Sequence, residues 1–382
     1  MINEDHQRDT RFVHAGKDRD PHTGASSIPI YQASTFAQPD PDHPGKYDYG
    51  RSGNMTREAL EEAIAQMEGG TRGFAFASGM AAITAALLLF KPGDHIIACE
   101  DIYGGTYRVL TTLFTQWGLE TSFVDTTDPE KVAAAVKANT RALFIETPSN
   151  PLLKITDLKA MARLASARGL VSIIDNTFPT PYLQRPIEQG FDIVLHSATK
   201  FISGHSDVIA GLAVTHNDEL GRRMKMVQNN GGAVLGPMDS WLVLRGARTL
   251  GVRMNQMQAS AGIVARGLRK FPAVMKVYYP GLEDHPGHAI DAGQSAGPGA
   301  VLSFELPDKE MAKKVFANVK LCLPAVSLGG VESILSWPAR MSHAAMPSDE
   351  RCRRGIKDGL LRLSVGLEAP QDILADLDRA LK

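Results

Sequence analysis

Seven short, nearly continuous apolar runs, Gly73–Ala77, His95–Cys99, Thr121–Val124, Ala142–Thr147, Val171–Asp175, Asp192–Ser197 and Leu212–Thr215, have stretches of helical period between most of them. A strand that is apolar along both faces must be covered on both faces. Strands of this kind alternating with helices therefore specify an α/β fold with a parallel sheet between two helical layers. That architecture also says where to look for chemistry, because ligands of such sheets bind outside the carboxyl ends of the strands. The segments at those ends are Ser78–Met80, Asp101–Thr106, Glu146–Asn150, Asp175–Asn176 and Ser197–Lys200.

The flanks differ from this core. An irregular opening rich in Pro, Gly and His occupies Asp18–Gly53, and its part up to Pro44 is expected to order on assembly or ligand binding. A helix follows from Thr56, with Thr56 as its cap, Leu60, Ile64 and Met67 on one face, and Gly69-Gly70 as its stop. A long helical stretch over Met238–Phe271 leads to strand Val301–Leu306, helix Lys309–Val319, strand Leu361–Leu367 and a helix from Pro370, a smaller C-terminal α+β domain. The expected division is 1–50, 51–245 for the large domain and 246–382 for the C-terminal one.

Composition excludes several function classes. The 382 residues carry 41 Lys or Arg and 42 Asp or Glu, a net charge of −1, without the basic surplus that a nucleic-acid binder needs. The longest apolar run, Met80–Phe90, is far shorter than the roughly 20 residues that cross a bilayer, so no membrane partner is expected. Cys99, Cys322 and Cys352 form neither a disulfide framework nor a zinc spacing, and the eleven histidines do not cluster, so no metal is expected. Free thiols and a polar, acidic start point to a cytoplasmic location.

Lys200, just beyond the run Asp192–Ser197, puts an amine at the ligand-binding edge. In surroundings that favour its neutral form, such an amine forms a Schiff base with an aldehyde cofactor; the plainer reading is a surface charge. Asp175 ends the preceding strand, where its carboxylate would keep a pyridine nitrogen protonated; the plainer reading is a turn cap. Ser78, Gly79 and Met80 join a strand to a helix start, which suits a phosphate, although neither G-x-x-x-x-G-K-[ST] nor G-x-G-x-x-G is present. Tyr103 follows the next strand and can stack on a ring while its phenol carries a proton. Arg362, in a strand of the last domain, offers a planar fork to a carboxylate.

The run Ser197–His205 resembles the signature of the cysteine and methionine metabolism family of pyridoxal-phosphate enzymes, and the likeness extends from Thr10–Gly16 to the C-terminal helix. Tyr47–Gly53, Phe76–Met80, Glu146–Pro151, Ile174–Thr177, Ser327–Gly330 and Arg362–Leu367 carry it further. The resemblance implies fold type I, with a mostly parallel seven-stranded sheet in the large domain. It makes Lys200 the Schiff-base lysine for pyridoxal 5'-phosphate and its proton shuttle, Asp175 the partner of the ring nitrogen, and Tyr103 the stacking residue. Ser78, Gly79, Met80, Ser197 and Thr199 hold the phosphate, joined by Tyr49, on an N-terminal arm of residues 1–50, and by Arg51 just beyond it, both reaching in from a neighbouring subunit. Asn150, Ser327 and Arg362 fix the amino acid carboxylate. The implied assembly is a homotetramer, a dimer of dimers with shared sites. Met55 and Gly50 depart from residues common in the family and bear on loop geometry.

Two positions bear on the reaction. Gly105 stands where many methionine γ-lyases have cysteine, and Val326 where cystathionine γ-lyases and γ-synthases often have glutamate. The run Ser333–Pro347 resembles bacterial cystathionine β-lyases more than the others, and with these two positions the resemblance makes β-elimination of L-cystathionine to homocysteine, pyruvate and ammonia the expected reaction. γ-Elimination, as in cystathionine or methionine γ-lyase, and γ-replacement are the alternatives.

Overall fold

The computed structural model describes residues 6–16, 19–20, 22–344 and 346–382; Met1–Asp5, Lys17, Asp18, Pro21 and Ala345 lie outside them. All seven expected runs form strands of one sheet: β1 (Arg72–Phe76), β2 (His95–Cys99), β3 (Glu120–Val124), β4 (Thr140–Glu146), β5 (Val171–Asp175), β6 (Ile193–Ser197) and β7 (Gly211–Thr215). Their order is β1-β7-β6-β5-β4-β2-β3. Five neighbouring strands from β6 to β3 run parallel, as the apolar pattern requires.

β7 breaks the parallel rule, running antiparallel to both β6 and β1. The cause is the connection, since residues 198–210 join β6 to β7 with no crossover helix. A chain that returns without crossing the sheet can only pair antiparallel with the strand it left. That return loop carries Lys200. Gly211 opens β7 so close to the β1–helix turn that a Cβ there would lie 2.0 Å from the Ser78 carbonyl oxygen.

Helices cover both faces. On one, Leu60, Ile64 and Met67 pack with Val243, Leu244, Leu250 and Met254. Elsewhere, Ile83, Leu87, Leu110 and Phe114 pack on Phe76, Ile96 and Phe144. The helix Met55–Glu68 begins one residue before its expected start, and Asn54 is its cap, its side chain accepting from the N–H groups of Thr56 and Arg57. Thr56 instead ties down the arm, donating to the Pro29 carbonyl at 2.8 Å and accepting from Tyr31 N–H at 2.9 Å. Gly69 ends the helix in the left-handed conformation, φ +76°. The stretch expected as one helix over Met238–Phe271 is two, Pro237–Ala247 and Leu250–Leu268.

A second sheet contains β8 (Lys276–Tyr278), β9 (Val301–Glu305), β10 (Leu323–Pro324), β11 (Ile334–Ser336) and β12 (Leu360–Ser364) in the order β10-β11-β12-β9-β8. Its core, including Leu302, Phe304, Leu335, Leu361 and Leu363, packs with Ile373 and Leu377 of the C-terminal helix Pro370–Leu381. The fold is therefore α/β, with a mostly parallel large sheet and a smaller α+β part, and it brings β12 to face the carboxyl edge of the large sheet. Among the described residues no helix is long and apolar enough to cross a membrane.

Candidate active site

At the carboxyl edge of the large sheet lies a cavity of about 490 Å³. Twelve predicted residues line it: Ser78, Gly79, Met80, Tyr103, Asn150, Asp175, Ser197, Thr199, Lys200, Val326, Ser327 and Arg362. Tyr49 and Arg51 stand apart from it, exposed, with the Arg51 guanidinium 5.3 Å from the Tyr49 ring centre.

Lys200 Nζ donates to Ser327 Oγ at 2.5 Å. Burial, reinforced by the Arg362 charge, lowers this amine from 10.5 to about 8, while Asp175 opposes the shift. The neutral amine that carbonyl chemistry needs is thus accessible near neutral pH. Arg362 is buried. Its Nη1 donates to Asn150 Oδ1 at 2.9 Å, and its Nη2 donates to the Ser327 carbonyl at 2.6 Å and to Ser336 Oγ at 3.0 Å. Its buried Nε has no partner, leaving the fork with a donor free for an incoming carboxylate.

Asp175 sits at the end of β5. Its Oδ1 accepts from Thr177 N–H at 3.0 Å and from Thr177 Oγ1 at 2.5 Å, and that hydroxyl in turn accepts from Ser197 N–H at 2.8 Å. Burial raises the Asp175 carboxyl, against these hydrogen bonds and the charges of His196 and Lys200. A cation brought by a ligand would remove that penalty.

The third feature is the turn from β1 into the helix Gly79–Leu87. Ser78 caps it, its Oγ accepting from Ala81 N–H at 3.1 Å. The first-turn N–H groups of Gly79 and Met80 have no intrahelical acceptor, by helix geometry, and they line the cavity. Thr199 is fixed nearby by Ala210, accepting from its N–H at 3.0 Å. Tyr103, at the start of the helix Gly104–Val109, is held by its backbone, its N–H donating to Glu146 Oε2 at 2.7 Å.

Four residues of this site carried no assigned role in the sequence. Thr177 was legible as the second residue after Asp175, the spacing at which Asp accepts from the backbone. Ser336 faces Arg362 only through the antiparallel register of β11 and β12. Glu146 and Arg108 also line the cavity, and Glu146 stands opposite Asp175 in the β4–β5 register.

A ligand suited to these walls presents an anion to the helix start, a protonated ring nitrogen to Asp175 and a carbonyl to Lys200. Pyridoxal phosphate has all three. Residues 9–382 match the family described as Cys/Met metabolism PLP-dependent enzyme. The chain is 57% identical to a cystathionine β-lyase of Bacillus subtilis, over 98% of this chain and 96% of that protein. It is 50% identical to a cystathionine γ-lyase of the same organism, over 98% of this chain and 99% of that one. The crystal structure of a cystathionine γ-lyase from Lactobacillus plantarum complexed with L-serine superposes with a TM-score of 0.96 at 46% identity, covering 98% of each chain. Sequence, fold and cavity agree: the chain belongs to the Cys/Met metabolism family of pyridoxal-phosphate-dependent enzymes.

Proposed function

We propose that the protein is a carbon–sulfur lyase that cleaves L-cystathionine by α,β-elimination to homocysteine, pyruvate and ammonia. The observation that carries this is the meeting of Lys200, Asp175 and Arg362 on one cavity, which allows an amino acid to be gripped by its carboxylate beside a near-neutral amine. The choice of β-elimination rests on Val326, an apolar residue on the cavity wall, and on the likeness to cystathionine β-lyases.

Bound, the cofactor supplies an aldehyde for exchange with the substrate amine and a protonated ring that draws electrons from the α-carbon. Lys200 would be its attachment point and, freed by the substrate amine, the base that takes the α-proton on Nζ. Asp175, fixed by Thr177, would hold the ring-nitrogen proton. Tyr103 would stack on the ring. Gly79 and Met80 N–H groups, with Ser78, Ser197 and Thr199, would hold the phosphate. Arg362, steadied by Asn150 and Ser336, aligns the substrate carboxylate so that the α-proton faces Lys200. The Cβ–S bond then breaks with its electron pair going to sulfur, which takes a proton from Lys200 or the Tyr103 phenol. Water converts the released three-carbon enamine to pyruvate and ammonia.

Tyr49 and Arg51 complete the phosphate grip of a neighbouring subunit, which makes a dimer the smallest working unit and a tetramer of two such dimers the assembly. Residues 1–50 then form the arm that crosses, 51–245 the cofactor-binding domain and 246–382 the smaller domain.

Incubation with L-cystathionine and chromatography of the oxoacids tests the reaction. Pyruvate with homocysteine is expected. 2-Oxobutyrate with cysteine would make the enzyme a γ-lyase and overturn the argument from Val326.

A further inference from the structure

Three adjacent parallel strands carry an acid at their carboxyl ends. Asp101 follows β2, Glu146 ends β4 and Asp175 ends β5, and all three are buried. Asp175 is used by the cofactor ring in the reading above, and Asp101 is tied by Ser149 Oγ. Glu146 has no assigned task, yet it lies in the middle of the row and lines the cavity.

Its position has two consequences. The register sets Glu146 directly opposite Asp175, and Glu146 Oε2 accepts the Tyr103 N–H at 2.7 Å, so one side chain touches the backbone of the stacking residue and adjoins the carboxyl facing the ring. The central acid of a row feels both neighbours, so a single proton shared among three buried carboxyls resides there at least cost. The groups around Glu146 are Asp101 and Cys99 on the β2 side, Asp175 on β5 and Arg362 on β12, the last being the cation that opposes the effect. Burial and the Asp175 charge hold the Glu146 carboxyl well above the ordinary range, against the opposing pull of the Tyr103 N–H and the Arg362 charge.

We propose that Glu146 is a positioning residue that carries the proton of this row: it fixes Tyr103 through the backbone and, uncharged, leaves Asp175 as the ionised carboxyl facing the cofactor ring. This rests on the placement of the ring between Tyr103 and Asp175 proposed above.

The test compares E146Q, E146A and E146D as holoenzymes by visible absorbance and circular dichroism of the bound cofactor, cofactor titration, and separate kcat and KM. Glutamine keeps an acceptor for the Tyr103 N–H and cannot ionise. E146Q is therefore expected to keep cofactor affinity and visible dichroism near those of the unaltered enzyme. E146A is expected to lose about tenfold or more in kcat/KM, with weakened dichroism. Aspartate is one methylene short of the Tyr103 N–H and is expected to behave like alanine. If E146A does not fold, the contrast between E146Q and E146D decides the question. E146Q as impaired as E146A or E146D, or E146A indistinguishable from the unaltered enzyme, overturns the proposal. D175N serves as the control: an unchanged cofactor spectrum in that variant would show that the ring placement itself is wrong, separately from Glu146.

Discussion

Ser327 Oγ accepts from Lys200 Nζ at 2.5 Å, while the carbonyl of the same serine accepts from Arg362 Nη2 at 2.6 Å. One residue thus ties the return loop after β6 to the second sheet and sets the distance between amine and guanidinium. Its backbone has φ +83°, which Ala and Ser tolerate equally poorly, so S327A removes the hydroxyl without altering backbone strain. A hydrogen bond to a charged group is worth about 1.5–3 kcal/mol, so S327A is expected to lower the melting temperature of the cofactor-free protein by a few degrees and, by loosening the Lys200 amine, to lower kcat/KM roughly 10- to 100-fold. Steady-state kinetics beside thermal unfolding check this, and full activity in a folded S327A protein would remove Ser327 from the site.

The shifted Lys200 amine makes the cofactor-free protein sensitive to pH. Its folded value of about 8 lies below the ordinary 10.5, so between these values the unfolded chain binds a proton that the native state does not. Stability must then rise with pH across that window, and below about pH 8 the cost of burying the charge is fully present. K200A lacks this group and should show a flatter profile from pH 8 to 10.5 in urea titrations of the apoprotein. Parallel profiles for the two proteins would mean that the Lys200 amine is not perturbed.

Much of this was legible because it depends on local pattern. Apolar runs fixed seven strands to within two residues at either end, and strand ends then pointed to Lys200, Asp175 and the Ser78–Met80 turn. What escaped depends on contacts between distant segments. An antiparallel β7 has the same buried pattern as a parallel strand, so its direction follows only from the loop that precedes it. Asn54 and Thr56 are both good caps two residues apart, and only the arm carbonyl at Pro29 claims the threonine. β8, β10 and β11 are too short to show a period, so Ser336 became visible only through its register with Arg362. Arg253 was equally silent, although its Nη1 and Nη2 donate to the Phe201 and Ile202 carbonyls and brace the segment that follows Lys200.

Gly105 controls the Tyr103 ring. A Cβ at this position would lie 2.4 Å from Tyr103 Cε1 and 2.8 Å from Met80 Sδ, both movable side-chain atoms. G105A should therefore fold, the ring yielding rather than the backbone. In the proposed role of Tyr103 as the stacking residue, a ring pushed out of register costs catalysis more than stability, and a displacement near 1 Å is worth up to about a hundredfold. The expected result is a near-native melting temperature with kcat/KM reduced at least about tenfold and an altered visible dichroism of the cofactor. Unchanged kinetics would show that the ring has room to accept the methyl group in place.

Arg51 tests the shared site. Arg57, buried in the first long helix, donates from Nη1 to the Gly50 carbonyl and from Nη2 to the Arg51 carbonyl, each at 2.9 Å, so the turn that presents Arg51 is held from beneath. The result is a braced, exposed cation beside Tyr49 that does not line this chain's own cavity, and the proposed shared site would set it on the phosphate of a neighbouring copy. R51A and K200A should each be nearly inactive alone. Mixed after subunit exchange, an R51A chain supplies Lys200 and a K200A chain supplies Arg51, so each mixed dimer has one intact site. Random pairing makes half the dimers mixed, and activity should recover to roughly a quarter of the unaltered enzyme. Exchange demonstrated by mass-tagged subunits with no recovery would mean that Arg51 serves its own chain or no site at all.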